Sequence, residues 1–119
     1  MKYKFIKHYA SSNWGKSILI MEEKGRAFGR IYWYNDDNSS VYLDMLSVKK
    51  NSRKKGLGTL LQNIREKIGI KSGAKISWLS VDKNSWMHTW YMRRGYTDCE
   101  YNVNEENMIW MKKILITNE

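Results

Sequence analysis

Lys49, Lys50, Arg53, Lys54 and Lys55 crowd five cations into seven residues, with no acid among them, just ahead of Gly56 and Gly58. The run Leu46-Ser47-Val48 before them reads as the end of a strand, and Leu57 onward as the start of a helix. A helix start offers free backbone N–H groups at the positive end of its dipole. Glycine lets an oxygen-rich ligand approach the backbone with no Cβ in the way. Together these features suit a pyrophosphate. They suit a capped helix behind a solvated basic loop equally well, because Gly-x-Gly alone is a permissive pattern. Two nucleotide motifs are excluded. Gly56 and Gly58 are not followed by the Gly-Lys-Ser/Thr of a Walker loop, and the third glycine of a dinucleotide fingerprint is missing.

The composition narrows the chemistry further. Lys plus Arg number 21 against 12 Asp plus Glu, a formal charge of +9, which favours an anionic partner such as nucleic acid, an anionic membrane or a polyphosphate cofactor. Cys99 is the one cysteine, so no disulfide forms within the chain, and His8 and His88 lack metal-ligand spacing. No metal is expected. No apolar stretch reaches about 18 residues, so no membrane span is expected. Met1-Lys2-Tyr3-Lys4-Phe5 lacks the apolar core of a secretory signal, and a cytoplasmic location fits best.

These residues need a scaffold, and 119 residues with 42% hydrophobic content suffice for one domain, 1–119. Residues 2–9, 17–22, 27–34 and 41–48 read as four strands, with a loop over 35–40. Leu57, Leu60, Leu61, Ile64 and Ile68 form the apolar stripe of a helix, with Gly69 as its terminator. Residues 75–82 read as a fifth strand. Asn84 caps a second helix whose Met87, Trp90 and Tyr91 share a face, with His88 off that face and exposed. Two strands, 96–102 and 107–115, complete the order β-β-β-β-α-β-α-β-β, a mixed α/β sheet.

Arg53-Lys54-Lys55-Gly56-Leu57-Gly58, after Leu46-Ser47-Val48, resembles the coenzyme A signature of the GNAT acyltransferases. Asn84-Ser85-Trp86-Met87-His88-Thr89-Trp90-Tyr91, closed by Gly95-Tyr96, resembles that family's second signature, and Met108 to Lys113 its last strand. The resemblance covers roughly residues 16–115 and implies a GNAT-like fold of about seven strands and two main helices. It also implies an N-acetyltransferase that uses acetyl-CoA, with direct attack by a primary amine. Leu46 and Val48 would pair their backbone with the pantetheine arm. Arg53, Lys54, Lys55, Gly56, Leu57 and Gly58 would hold the pyrophosphate, and Asn84 would contact the pantetheine. Tyr91 would lie near the thioester sulfur as general acid. A backbone N–H near Val48 would polarise the thioester carbonyl. The family usually carries two helices between its first two strands. Here only Ala10 to Lys16 separates them, so that wall of the acceptor site is expected to be missing, and a homodimer would be one way to complete it.

Each role has a plain structural counterpart. Tyr91 on an apolar face reads equally as a core tyrosine. Asp44 shares a strand face with Leu46 and Val48 by period-two alternation, which suits a base for an amine or a salt bridge to one of many cations. Tyr42 is a weaker candidate on the same face. The acceptor itself, a small molecule, a protein or an amine linked to RNA, is left open. Two other functions fit: a basic nucleic-acid-binding module, through charge and aromatic stacking, and a CoA-binding relative without turnover.

Overall fold

The computed structural model describes residues 3–9, 16–34, 37–53, 56–101 and 107–115. Four strands come first: β1 (Tyr3–Tyr9), β2 (Lys16–Glu22), β3 (Ala27–Tyr34) and β4 (Asp37–Val48). The helix α1 (Leu57–Lys71), β5 (Ile76–Asp82) and α2 (Trp86–Met92) follow, then β6 (Thr97–Tyr101) and β7 (Met108–Ile114). They form one seven-stranded sheet in the order β1-β2-β3-β4-β5-β7-β6. Only β4 and β5 run parallel, joined by α1 as such a crossover requires. The fold is the expected mixed α/β class.

Period-two alternation sorts the sheet into two faces. Ile20, Ala27, Ile31, Trp33, Val41, Leu43, Leu79, Val81, Ile109 and Met111 are buried on one. Against it α1 sets Leu57, Leu61, Arg65 and Gly69, a series four residues apart, and α2 sets Tyr91. The other face carries half-buried aromatics. Tyr32 and Tyr42 meet at a tilt, 4.9 Å between ring centroids, and Tyr42 meets Trp110 edge-on at 5.4 Å. Burial pushes the Tyr32 hydroxyl pKa well above its ordinary value. Neither described helix covers this face.

Four local readings change. Gly69 does not end α1, which runs on to Lys71 with Gly73 in the left-handed region beyond it. A Cβ at Gly69 would lie 3.3 Å from both Val41 and Leu115 side chains, so the glycine serves close helix–sheet approach. Residues 37–40, expected within a loop, extend β4: Tyr34 pairs Asp37, and Ser40 pairs Ile76 across to β5. Ser85, not Asn84, caps α2, its hydroxyl accepting from the His88 N–H, while Asn84 takes φ 63° in the turn before it. His88 is buried rather than exposed. Its Nδ1 accepts from the Asn84 N–H, which leaves the proton on Nε2 to donate to Asp98 Oδ1 at 2.7 Å.

Candidate active site

The parallel register of β4 and β5 lasts only three pairs, Ser40 with Ile76, Val41 with Ser77 and Tyr42 with Trp78. Beyond Tyr42 and Trp78 the two strands continue to Val48 and Asp82 without pairing to each other. Across this opening the two strand edges do not pair with each other, a geometry in which an extended chain can be added between them.

A bulge in β4 lies just past the point of divergence. Between Phe28–Ser47 and Arg30–Asp44, β3 advances two residues while β4 advances three, and Met45 takes φ 56°. The extra residue flips the alternation. Asp44 stays on the aromatic face, where Arg30 holds both its oxygens, Nε to Oδ1 at 2.9 Å and Nη2 to Oδ2 at 2.8 Å. Leu46 and Val48 turn to the helix face, beside Gly29 and Gly58 respectively. The expectation that Asp44 shares a face with Leu46 and Val48 is therefore corrected. Period two holds only while the pairing is regular. The same ion pair raises the Arg30 pKa, first through its hydrogen bonds to Asp44.

Leu46, Val48, Leu57, Met87 and Trp90 give apolar walls to a cavity of about 610 Å³ at the open end of the strands. Its polar edge is Ser47, Ser52, Arg53, Gly56, Gly58 and Thr59, and Trp86, 68% exposed, stands at its rim. A single 3₁₀ turn, Lys50–Ser52, reverses the chain after β4. Arg53 Nε then donates to the Val48 carbonyl at 3.1 Å, which holds Arg53 against the strand end. Gly56 caps α1 at φ 79°, a conformation open to glycine and strained for other residues, and a Cβ built there meets nothing within 4 Å. No acidic residue lies in the first turn of α1 to cancel its positive end. Arg94 clamps α2 to this turn. It stacks on Trp90 at 3.4 Å and donates to Thr59 Oγ1 at 2.8 Å, and burial lowers its pKa.

The expected residues are distributed unevenly around this cavity. Leu46, Val48, Arg53, Gly56, Leu57 and Gly58 line it together. Lys54 and Lys55 lie outside the described residues. Asn84 is exposed in the turn before α2, outside the cavity lining. Tyr91 sits behind the lining, 3% exposed, edge-on to Trp90 and Tyr96. Its hydroxyl accepts from Arg65 Nη2 at 3.0 Å, and the same guanidinium donates through Nη1 to the Asp44 carbonyl at the bulge, 3.2 Å away. Arg65, fully buried, belongs to neither sequence motif and was not among the expected site residues. Its spacing from Leu57 and Leu61 was the available signal, since four-residue steps keep it on the buried side of α1. Among the described residues no group of three or more His, Cys, Asp or Glu could hold a metal ion, and no helix is long and apolar enough to cross a membrane.

The fold is shared with PaiA N-acetyltransferase from Thermoplasma acidophilum, solved in complex with coenzyme A. The TM-score is 0.67 at 19% identity, covering 82% of this chain and 59% of that one. Nourseothricin acetyltransferase gives 0.67 at 19% identity, covering 85% and 65%. Aminoglycoside 6'-acetyltransferase type Ii gives 0.65 at 23% identity, covering 87% and 71%. A search of the curated proteins found no match. The family model described as "Acetyltransferase (GNAT) domain" matches residues 2–115, nearly the whole chain, and the protein therefore belongs to the GNAT acetyltransferase family.

Proposed function

We propose that this chain transfers an acetyl group from acetyl-CoA to a primary amine by direct attack, without a covalent enzyme intermediate. The observation that carries the reading is the opening between β4 and β5, whose β4 edge, Leu46 to Val48, lines the cavity under the glycine loop. Pantetheine is a chain of amides, and unpaired strand edges are what such a chain hydrogen-bonds. On this reading the backbone of Leu46 and Val48 pairs with the pantetheine. The N–H groups of Gly56, Leu57 and Gly58 take the pyrophosphate with Arg53, Lys54 and Lys55. Asn84, in the turn before α2, would reach the pantetheine from outside the cavity lining.

In the reaction the amine lone pair forms a bond to the thioester carbon, and the carbonyl electrons move onto oxygen beside a backbone N–H of β4. Collapse of that intermediate breaks the C–S bond. Tyr91 gives its proton to the departing thiolate, and the ammonium loses one to Asp44, directly or through water. The acceptor approaches from the aromatic face, where Asp44 lies. Each Asp44 oxygen spends one lone pair on Arg30 and keeps another for a proton or a water. PaiA N-acetyltransferase, solved with coenzyme A, is a relative in fold that supports the donor.

The test is thermal unfolding with CoA and acetyl-CoA. Ligand at 100 times its dissociation constant adds about 2.7 kcal/mol of stability. An unchanged Tm at saturating ligand overturns the reading. Release of free CoA from acetyl-CoA in the presence of peptides, polyamines or aminoglycosides then separates turnover from binding alone.

A further inference from the structure

Arg65 is 0% exposed, yet no carboxylate is among its hydrogen-bond partners. Nη1 donates to the carbonyls of Arg30 at 3.1 Å and Asp44 at 3.2 Å, and Nη2 donates to Gln62 Oε1 and to Tyr91 Oη at 3.0 Å. Its Nε is buried with no partner. Interior charge of this kind is unfavourable compared with an apolar side chain of similar volume, so packing does not explain it.

The partners do. One is the carbonyl immediately before Met45, at the bulge where β4 leaves β5, and another is the hydroxyl of the proposed acid. A guanidinium has five donors and no acceptor. Tyr91 Oη is therefore the acceptor in this bond, and its own hydrogen is directed away from Arg65. No described residue accepts that hydrogen.

We propose that Arg65 is a positioning residue for acyl transfer. By occupying a lone pair of Tyr91 and holding the bulge carbonyl, it keeps the phenol proton free for the sulfur of CoA. It also fixes the distance between the acid and the strand that polarises the thioester. The inference rests on the acetyl-CoA reading above.

Its test compares calorimetric binding of CoA with that of desulfo-CoA, which lacks the thiol. A hydrogen bond to sulfur makes wild-type protein favour CoA by about threefold to tenfold. Tyr91→Phe abolishes that preference. Arg65→Met abolishes it too, with desulfo-CoA affinity held within about twofold of wild type. In turnover, Arg65→Met lowers kcat with little change in the KM for acetyl-CoA, and adding it to Tyr91→Phe lowers kcat no further. Should Arg65→Met show no cooperative melting, Arg65→Lys replaces it. It keeps a cation and an aliphatic stem but lacks the planar fork that spans the carbonyls and the hydroxyl, and the same loss is expected. A folded Arg65 variant that keeps the full preference overturns the inference, as does equal weakening of both ligands, which marks a structural role only. Wild-type protein that binds both ligands equally removes the Tyr91–sulfur contact and the inference with it. Wild-type protein that binds neither overturns the proposed function itself.

Discussion

Trp90 and Tyr91 are adjacent in α2 but face different surroundings: Trp90 lines the cavity, while Tyr91 reaches past it to the guanidinium of Arg65. A helix separates successive side chains by about 100°, so adjacent aromatics divide naturally between a ligand wall and an interior contact. Tyr91→Phe keeps the ring and its edge-on contacts with Trp90 and Tyr96, and removes only the hydroxyl. If that hydroxyl protonates the thiolate, kcat falls by about 10²–10⁴-fold, toward the lower end because a thiolate departs readily unaided. Single-turnover release of CoA, with chemistry shown to limit the rate, is the measurement. Wild-type rates in Tyr91→Phe would make it a packing residue. Glu22 is a second buried polar residue with a readable consequence. Arg26 donates to it from Nε at 2.8 Å and Nη2 at 3.0 Å, and this holds its pKa down at about 2. A carboxyl depressed in the folded state contributes stability that is complete above its unfolded value of 4.5 and lost as pH falls toward about 2. Glu22→Gln should thus lower Tm at neutral pH and flatten its decline over that acid range. Parallel acid curves for the two proteins would show that Arg26 does not hold this charge.

The glycine loop and α1 act as one element. Gly56 is left-handed and open to the cavity, so its replacement separates conformational strain from ligand exclusion. Gly56→Ala should cost about 1–2 kcal/mol in unfolding free energy through strain alone. Gly56→Glu adds a charged side chain in the space assigned to the pyrophosphate, and calorimetric CoA binding should vanish while circular dichroism stays native-like. Retained affinity in Gly56→Glu would put the phosphates elsewhere. This element was legible in the sequence because its signals are local: cations, glycines, and the four-residue steps of α1. What escaped was set by other strands. Nothing near Asp44 announces a bulge, since the extra residue exists only relative to β3, and it turns Leu46 and Val48 to the opposite face from Asp44. Gly69 looks like a stop until Val41 and Leu115 are seen against it. His88 looks exposed until Asp98 of β6 is seen to accept a hydrogen bond from its Nε2.

At the scale of the whole molecule, β4 and β5 join the two halves of the sheet through three register pairs, with α1 crossing over the junction. On one side lie β1 to β4, and on the other β5, β7 and β6. A ligand whose amides fill the opening would extend that junction by hydrogen bonds to both strand edges, and so couple the halves more tightly than phosphate contacts alone. This separates the proposed function from a general affinity for anions, which the +9 charge also favours. Hydrogen exchange is the suitable measurement, because it reports local opening amide by amide. With saturating CoA, the cleft-facing amides of residues 43–48 and 79–82 should exchange about tenfold or more slowly, the effect of about 1.4 kcal/mol on local opening. Adenosine 3',5'-bisphosphate, which has phosphates but no pantetheine, should protect residues 56–59 and leave the two strand edges near their free rates. A single-stranded oligonucleotide should protect neither edge, and any binding it shows should weaken steeply with salt as counterions are released. Equal protection of both edges by the bisphosphate would mean that phosphate binding alone draws the sheet together. The opening between β4 and β5 would then not be the seat of the pantetheine.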